Sequence, residues 1–431
     1  MGVKRCVPEP KGYLRLGPPP QVLQAVTDGM DYAIHYDIHW IGHGAKAMSK
    51  RVWLIGMALL LGLVAAHVDV EGGQVRVENP ARALAKDAGR VVTLEEVLRI
   101  RDDGDTVIFR SPRFFSLGPD GSLFFVDFAE GDRLYHFDAA GRFVRKLLKS
   151  GQGPGECQFA AGHIVAGDRV RVLSWVPPKI MDFDLRSGRY LKEARVEEDA
   201  HGLWFLGTSG GRIFGIRDEV FRLAAFESTG VFAVPNVVYE ISPDFRVWKK
   251  LYEFPVRMMI KNRSAFRLDP IGASLRGTAL YINHTAEYRV TQVDLVSGAA
   301  VRHISRAYDR IRPKPAKGDD ADPELKGVDL PDDPYVWDID KIHGAAGKLW
   351  VFTSHMKPDA DDQQVDVFDA EGRYVDMIVL RYPAGKRNHR AMSRWTLLTD
   401  DGRFVIPEQE EDGLVTVGVY RVPDAGLFPK K

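Results

Sequence analysis

KSGQGPGECQF, residues 149–159, is the stretch whose residue types come nearest to a chemical motif. Three glycines, a proline and an acid behind a lysine resemble a loop that wraps phosphate. A dinucleotide fingerprint requires G-x-G-x-x-G between a strand and a helix N-terminus. Gly151 and Gly153 fill the first two places, but Glu156 stands in the third, where its charge would repel a pyrophosphate. Pro154 removes one backbone N–H from any cradle. No helical period follows, and no Gly-Lys-Ser/Thr ending makes a Walker loop. Gly151, Gly153, Pro154, Gly155 and Glu156 therefore read as a connector, with glycines for left-handed backbone and a proline for a fixed φ. Cys157 has no adjoining base to lower its pKa and reads as structural.

Other spacings carry less. His35, His39 and His43 stand four apart, as three ligands on one helical face would, but Gly42 interrupts that face. Asp319, Asp320, Asp322 and Glu324 lack the spacing of an EF-hand and read as a solvated loop. No G-x-S-x-G elbow supports a serine nucleophile.

The 431 residues carry 59 acids and 59 bases, so no basic stripe points to nucleic acid. Met48-Ser49-Lys50-Arg51 precedes VWLIGMALLLGLVAA, residues 52–66. A charged start, a short apolar run and a small-residue end make 48–66 a signal peptide. The run is too short for the ~30 Å hydrocarbon core, and a signal anchor is the alternative. Residues 1–47 are then expected to be a non-native or disordered extension. Cys6 precedes the signal, so the exported chain keeps one thiol, Cys157, and no internal disulfide. Export predicts a periplasmic or extracellular protein, or a membrane-anchored one facing outward if the segment stays uncleaved.

One unit recurs along the rest of the chain: a glycine turn, a β-branched or aromatic run, an acidic turn, and a further run. Phe137-Asp138-Ala139-Ala140-Gly141-Arg142-Phe143-Val144 returns as Phe368-Asp369-Ala370-Glu371-Gly372-Arg373-Tyr374-Val375. Opening hairpins fall near Gly121, Gly167, Gly211, Gly277, Gly347 and Gly402. Short runs bounded by Gly, Asp and Ser predict strands and hairpins, and six such units predict an all-β, six-bladed β-propeller of four-stranded antiparallel blades over 89–425. The last unit offers three runs, and a strand from GRVVTLEEVLRI at 89–100 is expected to complete it and close the ring. Residues 67–88 read as a linker and 426–431 as a tail.

Residues 111–159 resemble an NHL repeat with its inter-repeat link, and more closely the bacterial exported six-bladed β-propeller proteins. The resemblance rests on Asp120-Gly121, Gly131-Asp132-Arg133-Leu134, Phe137-Asp138 and Gly151–Glu156. Cys157 and Ala160 stand where the pattern has an aromatic residue and a proline. Enzymes of the wider superfamily gather His, Asp, Glu or Asn from several blades around a metal in the central channel. The resemblance thus directs attention to His163 and His343 at starts of innermost strands, with Asp340 nearby and His201 as a third position. Imidazole and carboxylate converging there would suit zinc or calcium. Tyr335 and Trp337, ending the long link 306–340, are candidates for the lip of a ligand pocket.

The function expected is a non-catalytic, monomeric module that binds a protein, peptide or glycan through its loop face, with no cofactor and no nucleic acid. The alternative is a metal-dependent lyase or hydrolase, lactonase-like or amidating-lyase-like, with its site in the channel. An enzyme predicts metal-competent side chains converging on the axis; a binding module predicts an aromatic loop face.

Overall fold

A computed structural model describes residues 67–71, 74–131, 133–196, 202–222, 229–246, 248–261, 264–312, 334–357, 362–383, 395–410, 413–424 and 426–428. The segments expected in 1–66, His201 and the acids at 319–324 lie outside them.

Leu123–Asp127, LFFVD, is buried at all five positions. A strand apolar on both faces must lie between two other layers. Phe124 and Val126 pack with Ala160, Val172 and Met181 of the next sheet. Leu123 and Phe125 pack the other way, with Val405, Val417 and Val419 of the last sheet. Leu349 and Val351 likewise meet Tyr281, Val290 and Ile304 on one side, while Trp350 and Phe352 meet Phe404 and Ile406 on the other. A further cluster joins Leu173, Phe214 and Leu280. Each sheet is thus the filling between two neighbours, and the series returns to its start: the chain is a six-bladed β-propeller.

The innermost strands are Pro112–Leu117, Phe159–Ala166, Leu203–Ser209, Gly272–Arg276, Ile339–Ala345 and Leu397–Leu398, opening blades 1 to 6 in turn. All six hairpin glycines, 121, 167, 211, 277, 347 and 402, have φ between 53° and 83°, backbone that a Cβ disfavours. The twin hairpins of blades 1 and 5 are built alike. Asp138 Oδ1 accepts from the backbone of Ala140 and Arg142 at 3.0 and 2.9 Å, as Asp369 Oδ1 does from Glu371 and Arg373 at 3.0 and 2.9 Å.

Glu95–Arg101 pairs antiparallel with Val415–Arg421 and closes the ring as expected. Residues 67–88 are not simply a linker. Gln74–Asn79 adds parallel to the outer strand of blade 4, and His67–Glu71 pairs with it in turn. The chain then follows blade 5, where Arg90–Thr93 runs parallel to Tyr374–Arg381. Blades 4 and 5 therefore have six and five strands, and blade 3 has five through Ser264–Arg267. The additions cover outer edges that would otherwise leave unpaired N–H and C=O groups. Asn79 fixes this strap: its Nδ2 donates to the carbonyls of Ser305 at 3.0 Å and Gly372 at 2.9 Å, and its Oδ1 accepts from Tyr374 N at 2.8 Å. Arg90 reaches Asp376 and Asp424 at 2.9 and 2.6 Å. Within the expected tail, Phe428 stacks on Trp350 with ring centroids 4.9 Å apart.

Candidate functional site at the mouth of the ring

The first strand of blade 1 is interrupted by a bulge between Arg113 and Ser116. Within it Phe114 has φ 57°, a left-handed conformation uncommon for a bulky residue. Its ring lies 5.5 Å from Trp204 of blade 3, stacked, and 4.6 Å edge-on from Trp395, which leads into blade 6. Blades 3 and 6 stand opposite each other, so one ring touching both sits at the axis. Phe114 therefore occupies the channel mouth. Trp204 meets Trp175 at 4.5 Å, Trp175 stacks on Phe159 at 5.4 Å, and Phe159 meets Phe128 at 4.9 Å. Arg113, 3% exposed, lies over Phe128 at 4.3 Å and Trp395 at 5.3 Å. A guanidinium between aromatic faces is held by their quadrupoles. The rings of Phe114, Phe159 and Trp395 are half-buried.

The two channel histidines face elsewhere. His163 is buried between blades 1 and 2, where its Nε2 and Ser116 Oγ share a hydrogen bond of 2.7 Å and its ring tilts against Phe124. Burial alone holds its pKa down to about 3. His343 turns toward blade 6: its Nε2 and Thr396 Oγ1 share a bond of 2.9 Å, and its ring meets Phe352 and Phe404. Its pKa is also lowered to about 3, by burial first and by the Lys341 charge second. The structure does not bring these residues together, since they belong to separate interfaces between blades. Asp340 Oδ2 accepts from Gln363 Nε2 at 3.2 Å and lies 3.7 Å from Lys341 Nζ. Among the described residues no three of His, Cys, Asp and Glu are grouped to hold a metal.

Tyr335 lies under Arg310 and Arg312 at 4.4 and 5.6 Å. Trp337 donates from Nε1 to the carbonyl of Leu268 at 3.0 Å, bolting the end of the long link to the segment between blades 3 and 4.

Lys341 escaped the sequence reading. It is buried on the innermost strand of blade 5 with Nζ 5.0 Å from the Phe352 ring, and burial lowers its pKa against the pull of Asp340. Arg113, Phe114, Trp204 and Trp395 were missed as well. Their signal was available: aromatic residues recur at the start of the first run in several repeats.

The glycine loop serves itself. Gly153 N donates to Glu156 Oε2 at 3.0 Å, and Gly155 N to Glu193 Oε2 at 3.3 Å. Lys179 Nζ reaches Gly153 O at 2.6 Å and Glu193 Oε2 at 2.9 Å. The donors that would hold a phosphate already meet the chain's own carboxylates. Cys157 is buried, in no disulfide.

The fold and the mouth define the class, a six-bladed β-propeller with an aromatic plug at one end. A family described as 6-bladed beta-propeller matches residues 119–208. Comparison with curated proteins gives no match. Among solved structures, the chain is similar to a protein of Bacteroides fragilis named as exported (13% identity, 81% of this chain and 100% of that one, TM-score 0.47). It is also similar to virginiamycin B lyase of Staphylococcus aureus (9%, 75% and 98%, TM-score 0.40) and to Myxococcus xanthus glutaminyl cyclase (10%, 61% and 92%, TM-score 0.31).

Proposed function

We propose that the protein is an exported, NHL-like binding module, acting as a monomer without a cofactor. It takes a protein, peptide or glycan partner on the face around Phe114. The observation that carries this reading is the ring-to-ring cluster at the axis, with half-buried Phe114 and Trp395 beside a buried arginine. Apolar rings with a few placed polar groups suit sugar faces and aromatic or aliphatic side chains. The left-handed backbone of Phe114 adds weight, because strain of this kind concentrates at ligand sites.

Tryptophan fluorescence of the full chain, titrated with a panel of oligosaccharides and short peptides, tests the reading. One class should give a saturable change that weakens at least tenfold in Trp395→Ala and Phe114→Ala. Saturable binding unaffected by either substitution, or none from any member, would overturn it.

A further inference from the structure

The strap creates a concavity on the side of the ring. Where Gln74–Asn79 joins blade 4, a cleft of about 480 Å³ opens, lined by Gln74, Arg76, Glu78, Glu287, Arg289 and His303 among others. The registers arrange them as a grid. Arg76 pairs with His303, and His303 with Thr291; Glu78 pairs with Ser305, and Ser305 with Arg289. Val290 and Ile304 face blade 5, so the alternating residues of the grid face the other way, toward the outer part of blade 3.

The floor is fixed. His303 Nε2 is 2.7 Å from Gln74 Oε1 and Nδ1 is 3.1 Å from Thr291 Oγ1, so both ring nitrogens are engaged. Burial first, then the fields of Arg289 and Arg76, lowers the His303 pKa. The rim is charged. Glu78, Glu287 and Arg289 are exposed and, among the described residues, enter no ion pair. Charges of both signs therefore border one pocket over a hydrogen-bonding floor. A simple anion would meet Glu78 and Glu287 as well as the guanidinium groups, and a simple cation would meet Arg289 and Arg76. A molecule carrying both signs satisfies the two halves together. We infer that this cleft binds a small dipolar ligand, an amino acid or short peptide with free termini, its carboxylate toward Arg289 and its ammonium toward Glu287 and Glu78. The volume is of the size that holds a small molecule. This site is separate from the aromatic mouth and stands or falls independently of it.

Calorimetric titration of the full chain with dipeptides bearing free termini tests the assignment, using glycylglycine, N-acetylglycylglycine, glycylglycinamide and sodium sulfate as the discriminating probes. The free dipeptide should saturate below about 10 mM, and either cap should weaken it at least fivefold. Arg289→Ala and Glu287→Gln, both exposed and expected to fold normally, should each weaken it at least tenfold, while Trp395→Ala at the mouth should leave it unchanged. No saturable binding, equal affinity for the capped forms, or sulfate alone binding as tightly as the dipeptide would each overturn it.

Discussion

His163→Gln offers the sharpest test of how the blades are packed. In the folded chain burial holds the imidazole near pKa 3, whereas an unfolded histidine titrates near 6.5. The depressed folded value means that the unfolded state takes up the proton first as pH falls. Stability from this group is therefore complete above about pH 6.5 and declines as pH drops toward 3. The slope is about 1.36 kcal/mol per pH unit, so between pH 7.5 and pH 5 the wild-type chain should lose about 2 kcal/mol through His163. At pH 5 the folded ring remains neutral, so the figure depends on the unfolded pKa alone. Urea unfolding followed by tryptophan fluorescence at pH 7.5, 6 and 5, with a chelator present, gives the free energies. His163→Gln lowers stability at every pH by weakening the bond to Ser116, and the informative quantity is the difference of differences. Its loss between pH 7.5 and 5 should be smaller than wild type by about 2 kcal/mol. Equal losses in the two proteins would show that the ring protonates in the folded chain, and the placement between blades 1 and 2 would be wrong. His343, whose pKa burial and the Lys341 charge lower to about 3 as well, should give the same sign and a similar size.

Asn79→Ala should cost about 3 kcal/mol or more, because two carbonyls and the Tyr374 N–H lose their partner at a buried site. Asn79→Asp should be worse, since a carboxylate would face both carbonyls; urea midpoints and proteolysis of the strap measure both. Asp366 is fully buried and accepts from Tyr288, Tyr374 and Arg306, each at 2.7 Å. Asp366→Ala should destabilise by about 3–5 kcal/mol by leaving the Arg306 charge buried and uncompensated. Its thermal midpoint reports this.

Local chemistry carried the fold. A glycine at positive φ and an aspartate capping its own turn lie within a few residues of each other, so Asp138-to-Arg142 and Asp369-to-Arg373 could be matched by eye. The strap had no such signal. Residues 80–88 lack alternation, and the partner of Gln74–Asn79 is Ala300–Arg306, more than two hundred positions away. A parallel edge pairing leaves no mark beyond a few alternating valines, so the segment read as a linker and blades 4 and 5 as four-stranded.

The site was obscured by parity. Side chains of a strand alternate between faces, and in a ring of blades each face meets a neighbouring blade. A histidine early in an innermost strand therefore has no automatic claim on the axis. His163 turns into blade 1 and His343 into blade 6, opposite faces of equivalent strands, and neither destination can be read from residue type. Reaching the axis takes a break in that alternation. The bulge at Arg113 to Ser116 supplies one and turns Phe114 inward. A one-residue irregularity reverses every later assignment on its strand. The residues worth testing for function in this fold are thus those at irregular positions of the inner strands. Here that rule selects Phe114 in blade 1 and Asp340 in blade 5, which the register skips between Ile339 and Lys341, ahead of the imidazoles.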